Sequence, residues 1–279
     1  MINYSVKYSS HPLDFKGYDT NRLRSEFLVE KIFEQNKINL TYSNYDRFII
    51  GGAQPVDITL ELQPIDPMKA RYFCERRELG IINIGGKGTV DLDGKLFNLD
   101  KKCALYVGKG VEKINFNSDL PDNPALFYLN SVPAHHSYPS KLITPDEIKI
   151  LELGSHFQAN KRRILQYIVA STVETCQLQM GLTELKEGNI WNTMPPHNHD
   201  RRMEVYFYAG LEEGNSICHF MGEKNETRHL WLQNNQAVIS PNWSIHSAAG
   251  TSSYFFIWGM AGENMEFSDM DAIKITELR

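Results

Sequence analysis

The sequence predicts an all-β protein made of two packed β-barrels, with an N-terminal helix and a few short helices elsewhere. From about residue 45 onward, short segments of alternating apolar and polar residues succeed one another, separated by Gly, Asp, Asn and Pro. This pattern is typical of antiparallel strands joined by turns. The chain has 279 residues, of which 42% are hydrophobic and 23% charged, so it is long enough to bury substantial cores. Closing each sheet into a barrel would also protect strand edges from pairing with other chains.

The clearest helical pattern lies near the N-terminus, over residues 19–37. Asp19 or Thr20 can cap this helix, and Leu23, Phe27 and Ile32 recur at helical spacing along one face. We therefore expect residues 1–45 to form a helical segment that packs on the barrels.

Two strand-rich regions follow, and a polar stretch interrupted by proline separates them. Residues 46–140 are expected to form an N-terminal barrel, residues 141–170 a connecting segment, and residues 171–279 a C-terminal barrel. The two regions share a pattern, because RRELGIINIGG in the first is similar to RRMEVYFYAG in the second. Aligning Glu78 with Glu204 keeps the order of strands, which indicates that the barrels are copies of one design.

Composition and charge argue against several classes of function. The net charge of −5 and the pI near 6.0 leave no basic footprint for a nucleic acid. The four cysteines lie far apart without a C-x-x-C pair, which is typical of reduced cytosolic thiols. The first residues lack the apolar run of a signal peptide, and no apolar stretch is long enough to span a membrane. We expect a cytoplasmic protein that binds neither nucleic acid nor membrane.

Candidate metal ligands concentrate in the segment TMPPHNHDRRMEVYFYAG, residues 193–210. His197 and His199 are two residues apart, so on an extended strand both imidazoles point to the same side. Glu204 follows shortly afterwards, and PNWSIH supplies His246 from a later strand and turn. Three imidazoles and one carboxylate suit zinc, and would also bind manganese, iron, cobalt or nickel. The pattern therefore predicts a divalent metal site in the C-terminal half.

Two tyrosines are expected beside that site. Tyr206 and Tyr208 share the face of Glu204 on an alternating strand, so they should line the cavity close to the metal. The other six histidines lack the ligand spacing, and His219 among them is expected to be an ordinary surface or strand residue.

The first half offers an internal comparison. The alignment places Arg71 and Phe73 at the positions of the paired histidines, and Lys113 at the position of His246. Arginine and lysine do not ligate a cation at neutral pH. We therefore expect no metal in the N-terminal barrel, whose role would be packing, assembly or walling the other pocket.

The two motifs resemble the cupin signature, G-x5-H-x-H-x3,4-E-x6-G followed by P-x-G-x2-H. The chain departs from it twice: Trp243 replaces the glycine of the second motif, and the glycine after Glu204 comes one residue early. From near residue 18 to residue 264 the chain also resembles the 5-keto-4-deoxyuronate isomerase family. Segments that carry this resemblance include FCERRELGIINIGGKGTV, GNIWNTMPPHNHDRRMEVYFY and ETRHLWLQNNQAVISPNWSIHS.

The resemblance implies a bicupin that binds one zinc ion in its C-terminal barrel through His197, His199, Glu204 and His246. It implies an intramolecular oxidoreductase of the aldose-ketose isomerase type. The substrate would be 5-dehydro-4-deoxy-D-glucuronate and the product 3-deoxy-D-glycero-2,5-hexodiulosonate, in the cytoplasmic breakdown of pectin and related polyuronides. It also implies assembly into a homohexamer.

The implied reaction passes through an enediol and needs a general base, together with a cation for the substrate carboxylate. Glu204 could act as both ligand and base, with Tyr206 as a proton relay. The candidate cations are Arg162, Arg163, Arg201 and Arg202, of which Arg163 and Arg202 are selected as substrate-binding residues. Gln177 and Tyr208 are expected to border the same pocket.

Two other functions remain open. A metal-dependent cupin dioxygenase would use similar ligands, but would hold iron and consume oxygen. A sugar-sensing or storage bicupin would bind its ligand without catalysis. A regulator would be expected to carry a helix-turn-helix segment and basic charge, and this sequence displays neither feature.

Overall fold

The computed structural model describes residues 2–263 and 265–279. Within these residues it contains two α-helices, α1 (Pro12–Phe15) and α2 (Thr20–Phe27), and 3₁₀ turns at Asp66–Met68 and Ile275–Glu277. In chain order the strands are β1 (Ile2–Lys7), β2 (Leu28–Val29), β3 (Lys37–Ser43), β4 (Ile49–Gln54), β5 (Leu60–Glu61), β6 (Arg77–Asn83), β7 (Gly88–Leu92), β8 (Lys95–Leu99), β9 (Ala104–Val107), β10 (Ile114–Ser118), β11 (Phe127–Pro133), β12 (Lys141–Ile143), β13 (Lys149–Leu153), β14 (Arg162–Ile168), β15 (Gln179–Leu185), β16 (Trp191–Asn198), β17 (Arg202–Ala209), β18 (Ile217–Glu223), β19 (Glu226–Leu232), β20 (Gln236–Ser240), β21 (His246–Gly250), β22 (Phe255–Gly262) and β23 (Asp271–Ala272).

The chain forms two compact units, each assembled from separate segments. The first comprises residues 2–7, 31–148 and 167–180, and the second comprises residues 8–30, 149–166 and 181–279. Strands β12, β13 and β14 lie within the stretch 141–170 that was expected to connect the barrels. The domain limits drawn from the sequence remain a prediction. No helix of the described residues is long and apolar enough to cross a membrane.

The first unit packs a seven-stranded sheet, in the order β1-β3-β4-β11-β6-β9-β12, with a four-stranded sheet, in the order β5-β10-β7-β8. Strand β1 runs parallel to β3, and the strands that follow in the sheet pair antiparallel. Inward residues of both sheets, such as Ile81, Leu129, Val90 and Phe116, belong to one apolar core. Burial of these side chains is the main force that holds the sheets together.

The second unit repeats this plan. Its seven-stranded sheet has the order β13-β14-β15-β22-β17-β20-β2, and its five-stranded sheet has the order β19-β18-β21-β16-β23. Strand β17 lies fifth in its sheet between β22 and β20, just as β6 lies fifth between β11 and β9. Glu204 on β17 and Glu78 on β6 therefore occupy comparable strands, which supports the internal duplication inferred from the sequence. The predicted all-β fold is confirmed.

The predicted N-terminal helix is correct at its start and wrong at its end. Asp19 caps α2, since its Oδ1 accepts a hydrogen bond from the Arg22 N–H at 2.8 Å. The helix stops at Phe27 instead of continuing to residue 37, because Leu28 and Val29 leave it to pair with β20. Backbone pairing with a strand distant in sequence thus overrides the local helical pattern.

Glu78 is a buried carboxylate whose hydrogen bonds all come from the protein itself. It is fully buried and accepts the Tyr106 hydroxyl at 2.8 Å. It also accepts the backbone N–H groups of Cys176, Gln177 and Leu178 at 2.8–2.9 Å. Four donors satisfy a buried negative charge without a cation. Its role in the first unit is to fix the loop at residues 176–178.

Glu78→Gln is expected to destabilise the first unit. The amide replaces one acceptor oxygen by an NH₂ group that faces N–H donors, and the cost of leaving them unsatisfied is about 2 kcal/mol. The measurement is the urea midpoint of unfolding, with metal content as a second readout that should not change. Glu112→Gln, at an exposed carboxylate of the same unit, is the matched control. Equal midpoints for the two variants would contradict this role of Glu78.

Candidate metal centre and active site

The predicted ligands lie on both sheets of the second unit. His197 on β16 is the direct antiparallel partner of His246, the first residue of β21. His199 follows the end of β16, and Glu204 lies on β17 in the other sheet. Their four donor atoms lie within 4.8 Å of one another. The sequence pattern therefore corresponds to one cluster in space.

The contacts within the cluster are short. His246 Nε2 lies 3.0 Å from His197 Nε2 and 3.0 Å from a Glu204 carboxylate oxygen. The same oxygen, Oε2, lies 3.1 Å from His199 Nε2. His199, Glu204 and His246 are each at most 4% exposed. Water therefore has little access to most of these groups.

Hydrogen bonds outside the cluster decide which ring nitrogen faces inward. The Arg202 carbonyl lies 3.0 Å from His199 Nδ1, so this nitrogen must carry the proton and donate. A neutral imidazole has only one N–H, which leaves a lone pair on Nε2 facing the Glu204 carboxylate. Two acceptors at 3.1 Å repel each other unless a cation lies between them. The donor set thus fits a divalent metal ion.

Protonation states agree with this arrangement. Burial lowers the pKa of His197 and of His246, so both rings are neutral and offer lone pairs. Burial alone would raise the pKa of Glu204, but its close contacts with His246 and His199 outweigh the effect of burial and leave the pKa below its ordinary value. An ionised carboxylate and neutral imidazoles are the forms that bind metal.

A cavity of about 310 Å³ opens onto the cluster, within the size range of small-molecule sites. His197 and Glu204 line it, and Phe256, Trp258 and Met260 contribute apolar walls. The polar side chains around it include Thr193, Tyr206 and Arg162. Such a cavity can hold a small polar molecule against the metal position.

The two tyrosines differ in their surroundings. Tyr206 lines the cavity, and its hydroxyl lies 2.9 Å from Thr193 Oγ1. Burial, reinforced by the Glu204 carboxylate, raises the pKa of Tyr206 and keeps the phenol protonated. Tyr208 is not among the lining residues, and its hydroxyl lies 2.7 Å from His219 Nδ1 instead. Alternation placed both tyrosines on the Glu204 face, but only the nearer one reaches the cavity.

The predicted substrate contacts are largely elsewhere. Arg163 does not line the cavity, and its guanidinium pairs with Glu184 at 2.5 Å. Gln177 belongs to the first unit, where its side-chain amide donates to the Pro133 carbonyl at 2.7 Å. Arg202 does reach the cavity wall, but it donates to the carbonyls of Glu266 and Asp269 at 2.9 Å. Its guanidinium serves the protein backbone.

Sequence reasoning missed three residues near the cluster. Thr193 has a positive φ of 50°, a strained conformation for a β-branched residue, and its hydroxyl meets Tyr206. His219 is fully buried, and burial lowers its pKa to about 3. Phe267, in a stretch without regular pattern, walls the cavity. No local signal in the sequence marks Thr193 or Phe267. His219 lies two residues after Ile217 on β18, so strand alternation could have placed it on the same buried face.

Residues 31–275 match the model of the KduI/IolB family. The chain belongs to this family. It is 56% identical over 276 residues to a 4-deoxy-L-threo-5-hexosulose-uronate ketol-isomerase of Formosa agariphila, and the match covers 99% of both chains. It is 52% identical over 277 residues to ketol-isomerase 1 of the same name from Bacteroides thetaiotaomicron, again over 99% of both.

Solved structures agree on the fold. An IolB-like protein from Salmonella typhimurium LT2 superposes with a TM-score of 0.71 at 14% identity, covering 89% of this chain and 97% of the other. Oxalate decarboxylase of Bacillus subtilis, a protein with Mn(II) centres, superposes with a TM-score of 0.55 at 9% identity, covering 80% and 71%. At these identities the likeness establishes the bicupin fold alone.

His199→Ala is expected to remove the metal while the protein stays folded. Loss of a hydrogen bond that supports a ligand weakens metal affinity about 10–100-fold, and loss of the ligand itself should weaken it more. The measurement is metal content by mass spectrometry after dialysis, with circular dichroism to verify folding. His229→Ala, at an exposed histidine of the same unit, is the control and should keep the metal. Equal metal content in both variants would exclude His199 as a ligand.

Proposed function

We propose that this chain is a metal-dependent ketol-isomerase that converts 5-dehydro-4-deoxy-D-glucuronate to 3-deoxy-D-glycero-2,5-hexodiulosonate. The observation that carries the proposal is the largely buried group of three histidines and one glutamate beside a cavity of about 310 Å³. Full-length identity of 50–56% to proteins named as uronate ketol-isomerases supports this reaction. The proposed place of the reaction is the breakdown of pectin and related polyuronides.

The reaction shifts one hydrogen between the two reacting carbons and one between their oxygens, and it leaves the composition of the sugar acid unchanged. A proton leaves the carbon that bears the hydroxyl, an enediol forms, and the neighbouring carbonyl carbon accepts a proton. A bound divalent ion would polarise the two oxygens and stabilise negative charge on the enediolate. His197, His199, Glu204 and His246 would hold this ion. Zinc is the proposed ion because three imidazoles and one carboxylate suit it, although manganese, iron, cobalt and nickel accept the same donors.

The chain's own residues supply the proton transfer. Glu204 is ionised, nearly buried and lines the cavity, so it is the proposed base as well as a ligand. Tyr206 is protonated and held by Thr193 at 2.9 Å, so its hydroxyl is the proposed relay or hydrogen-bond donor to a substrate oxygen. The apolar walls at Phe256, Trp258 and Met260 limit water around the reacting carbons.

Two adjacent arginines hold a segment that closes one side of the cavity. Arg202 donates to backbone carbonyls of Glu266 and Asp269, and Arg201 pairs with the Asp269 carboxylate at 2.6 Å. The segment 266–271 brings Phe267 and Met270 to the cavity wall. We therefore assign Arg202 a positioning role, in place of the substrate contact expected from the sequence.

Two alternative functions make different demands. A dioxygenase reading would require oxygen consumption, and a non-catalytic bicupin would bind a sugar acid without converting it. The full-length relatives named as isomerases favour the isomerase. The homohexamer and the cytoplasmic location implied by the family resemblance remain predictions.

Metal removal is expected to abolish turnover. The purified protein should convert the uronate in anaerobic buffer, lose at least about 100-fold of its rate after chelation, and regain it on adding zinc. The measurement is product formation by nuclear magnetic resonance, with an oxygen electrode run in parallel. Full turnover by the metal-free protein would contradict the metal-dependent mechanism. Strict dependence on oxygen would instead favour the dioxygenase.

Arg202→Met is expected to loosen segment 266–271. Loss of the donors to the two carbonyls should lower kcat/KM by about 10–100-fold through a higher KM, and speed proteolytic cleavage in this segment. Arg228→Met is the matched control, since Arg228 also donates to backbone carbonyls of the second unit, at Thr227 and Lys16. Unchanged KM and unchanged cleavage in Arg202→Met would rule out the positioning role.

A further inference from the structure

Arg162 is a cation on the wall of the cavity that pairs with no carboxylate of the described residues. It is the first residue of β14, it is half-buried, and it lines the same cavity as His197 and Glu204. Its guanidinium donates to the Asn160 carbonyl at 2.9 Å. No carboxylate in residues 2–263 and 265–279 forms an ion pair with it. Most N–H donors of this side chain therefore remain for a ligand.

Neighbouring arginines are already committed. Arg163, on the opposite face of the same strand, pairs with Glu184 at 2.5 Å. Arg201 pairs with Asp269 at 2.6 Å, and Arg202 donates to carbonyls. Of the four arginines expected near the site, Arg162 and Arg202 line the cavity. Arg202 donates to two or more backbone carbonyls, whereas Arg162 donates to one and pairs with no carboxylate of the described residues.

Partial burial of a guanidinium that has no carboxylate partner among the described residues costs desolvation free energy. The adjacent cavity walls include Ile164, Phe256 and Trp258, which offer no compensating charge. Burial lowers the pKa of Arg162, as expected where the charged form lacks an anion. An anionic group entering the cavity would relieve this cost, and a planar carboxylate matches the guanidinium by two parallel hydrogen bonds.

We infer that Arg162 binds the carboxylate of the substrate and thereby selects sugar acids over neutral sugars. This inference rests on the proposed function, because it assigns the carboxylate end of the proposed uronate. The metal site and Arg162 would then meet two different parts of one substrate: an ion held by the four ligands would polarise the oxygens of the reacting carbons, and Arg162 would bind the acid. Binding at two points fixes the orientation of the reacting carbons next to Glu204 and Tyr206.

The test compares Arg162→Met with Arg163→Met, on the uronate and on its uncharged methyl ester. Arg162→Met should raise KM for the acid about 100-fold, with kcat changing far less, because a charge-assisted contact in a desolvated site is lost. KM for the ester should change less than about 3-fold, since the ester has no charge to lose. Arg163→Met should leave both KM values near those of the wild type. Arg162→Lys should raise KM for the acid about 10-fold, because it keeps the charge and loses the paired geometry.

Metal content and thermal unfolding are measured for each variant alongside its kinetics. If Arg162→Met does not fold, the KM of Arg162→Lys for the acid serves as the test. An unchanged KM for the acid in a folded, metal-loaded Arg162 variant would overturn the inference and leave the isomerase proposal intact. Equal losses on acid and ester would also overturn it, because they indicate general damage to the cavity. A wild-type protein that converts neither compound would overturn the proposed function itself, and this inference with it.

Discussion

The convergence of three imidazoles and one carboxylate, all but His197 buried, is the constraint on which the second unit depends. Their donor atoms lie within 4.8 Å of one another, and the Arg202 carbonyl directs the lone pair of His199 toward the Glu204 carboxylate. Such an arrangement is repulsive by itself, and a divalent cation makes it attractive. The strand pairing of β16 with β21 and the central position of β17 are what hold the donors at these distances.

Two glutamates at comparable positions of the two units have different surroundings. Glu78 and Glu204 lie on comparable strands of two seven-stranded sheets whose first six strands follow the same order. A tyrosine hydroxyl and three backbone N–H groups donate hydrogen bonds to the Glu78 carboxylate and compensate for its burial. Glu204 faces imidazole nitrogens instead, and it borders a cavity. Comparable strands thus hold one carboxylate surrounded by hydrogen-bond donors and one carboxylate within the proposed metal cluster.

Local periodicity explains both the success and the limits of prediction from the sequence. Strand alternation and ligand spacing located the cluster, because residues two apart on a strand share a face. Alternation also separates Arg162 from Arg163, but it does not say which of the two faces looks into the cavity. In the structure Arg162 lines the cavity and Arg163 does not. The helix was overextended past Phe27 because pairing of Leu28 with Val238 joins residues far apart in sequence. Segment 266–271 has no periodic pattern, so its place at the cavity became visible only in three dimensions.

The most direct test of the central claim is anomalous X-ray diffraction from crystals of the metal-loaded protein, recorded on both sides of the absorption edge of zinc. The account predicts one strong anomalous peak per chain, about 2.0–2.2 Å from ring nitrogens of His197, His199 and His246 and from a carboxylate oxygen of Glu204. A map with no peak among these four side chains, or with the ion bound elsewhere, would contradict it.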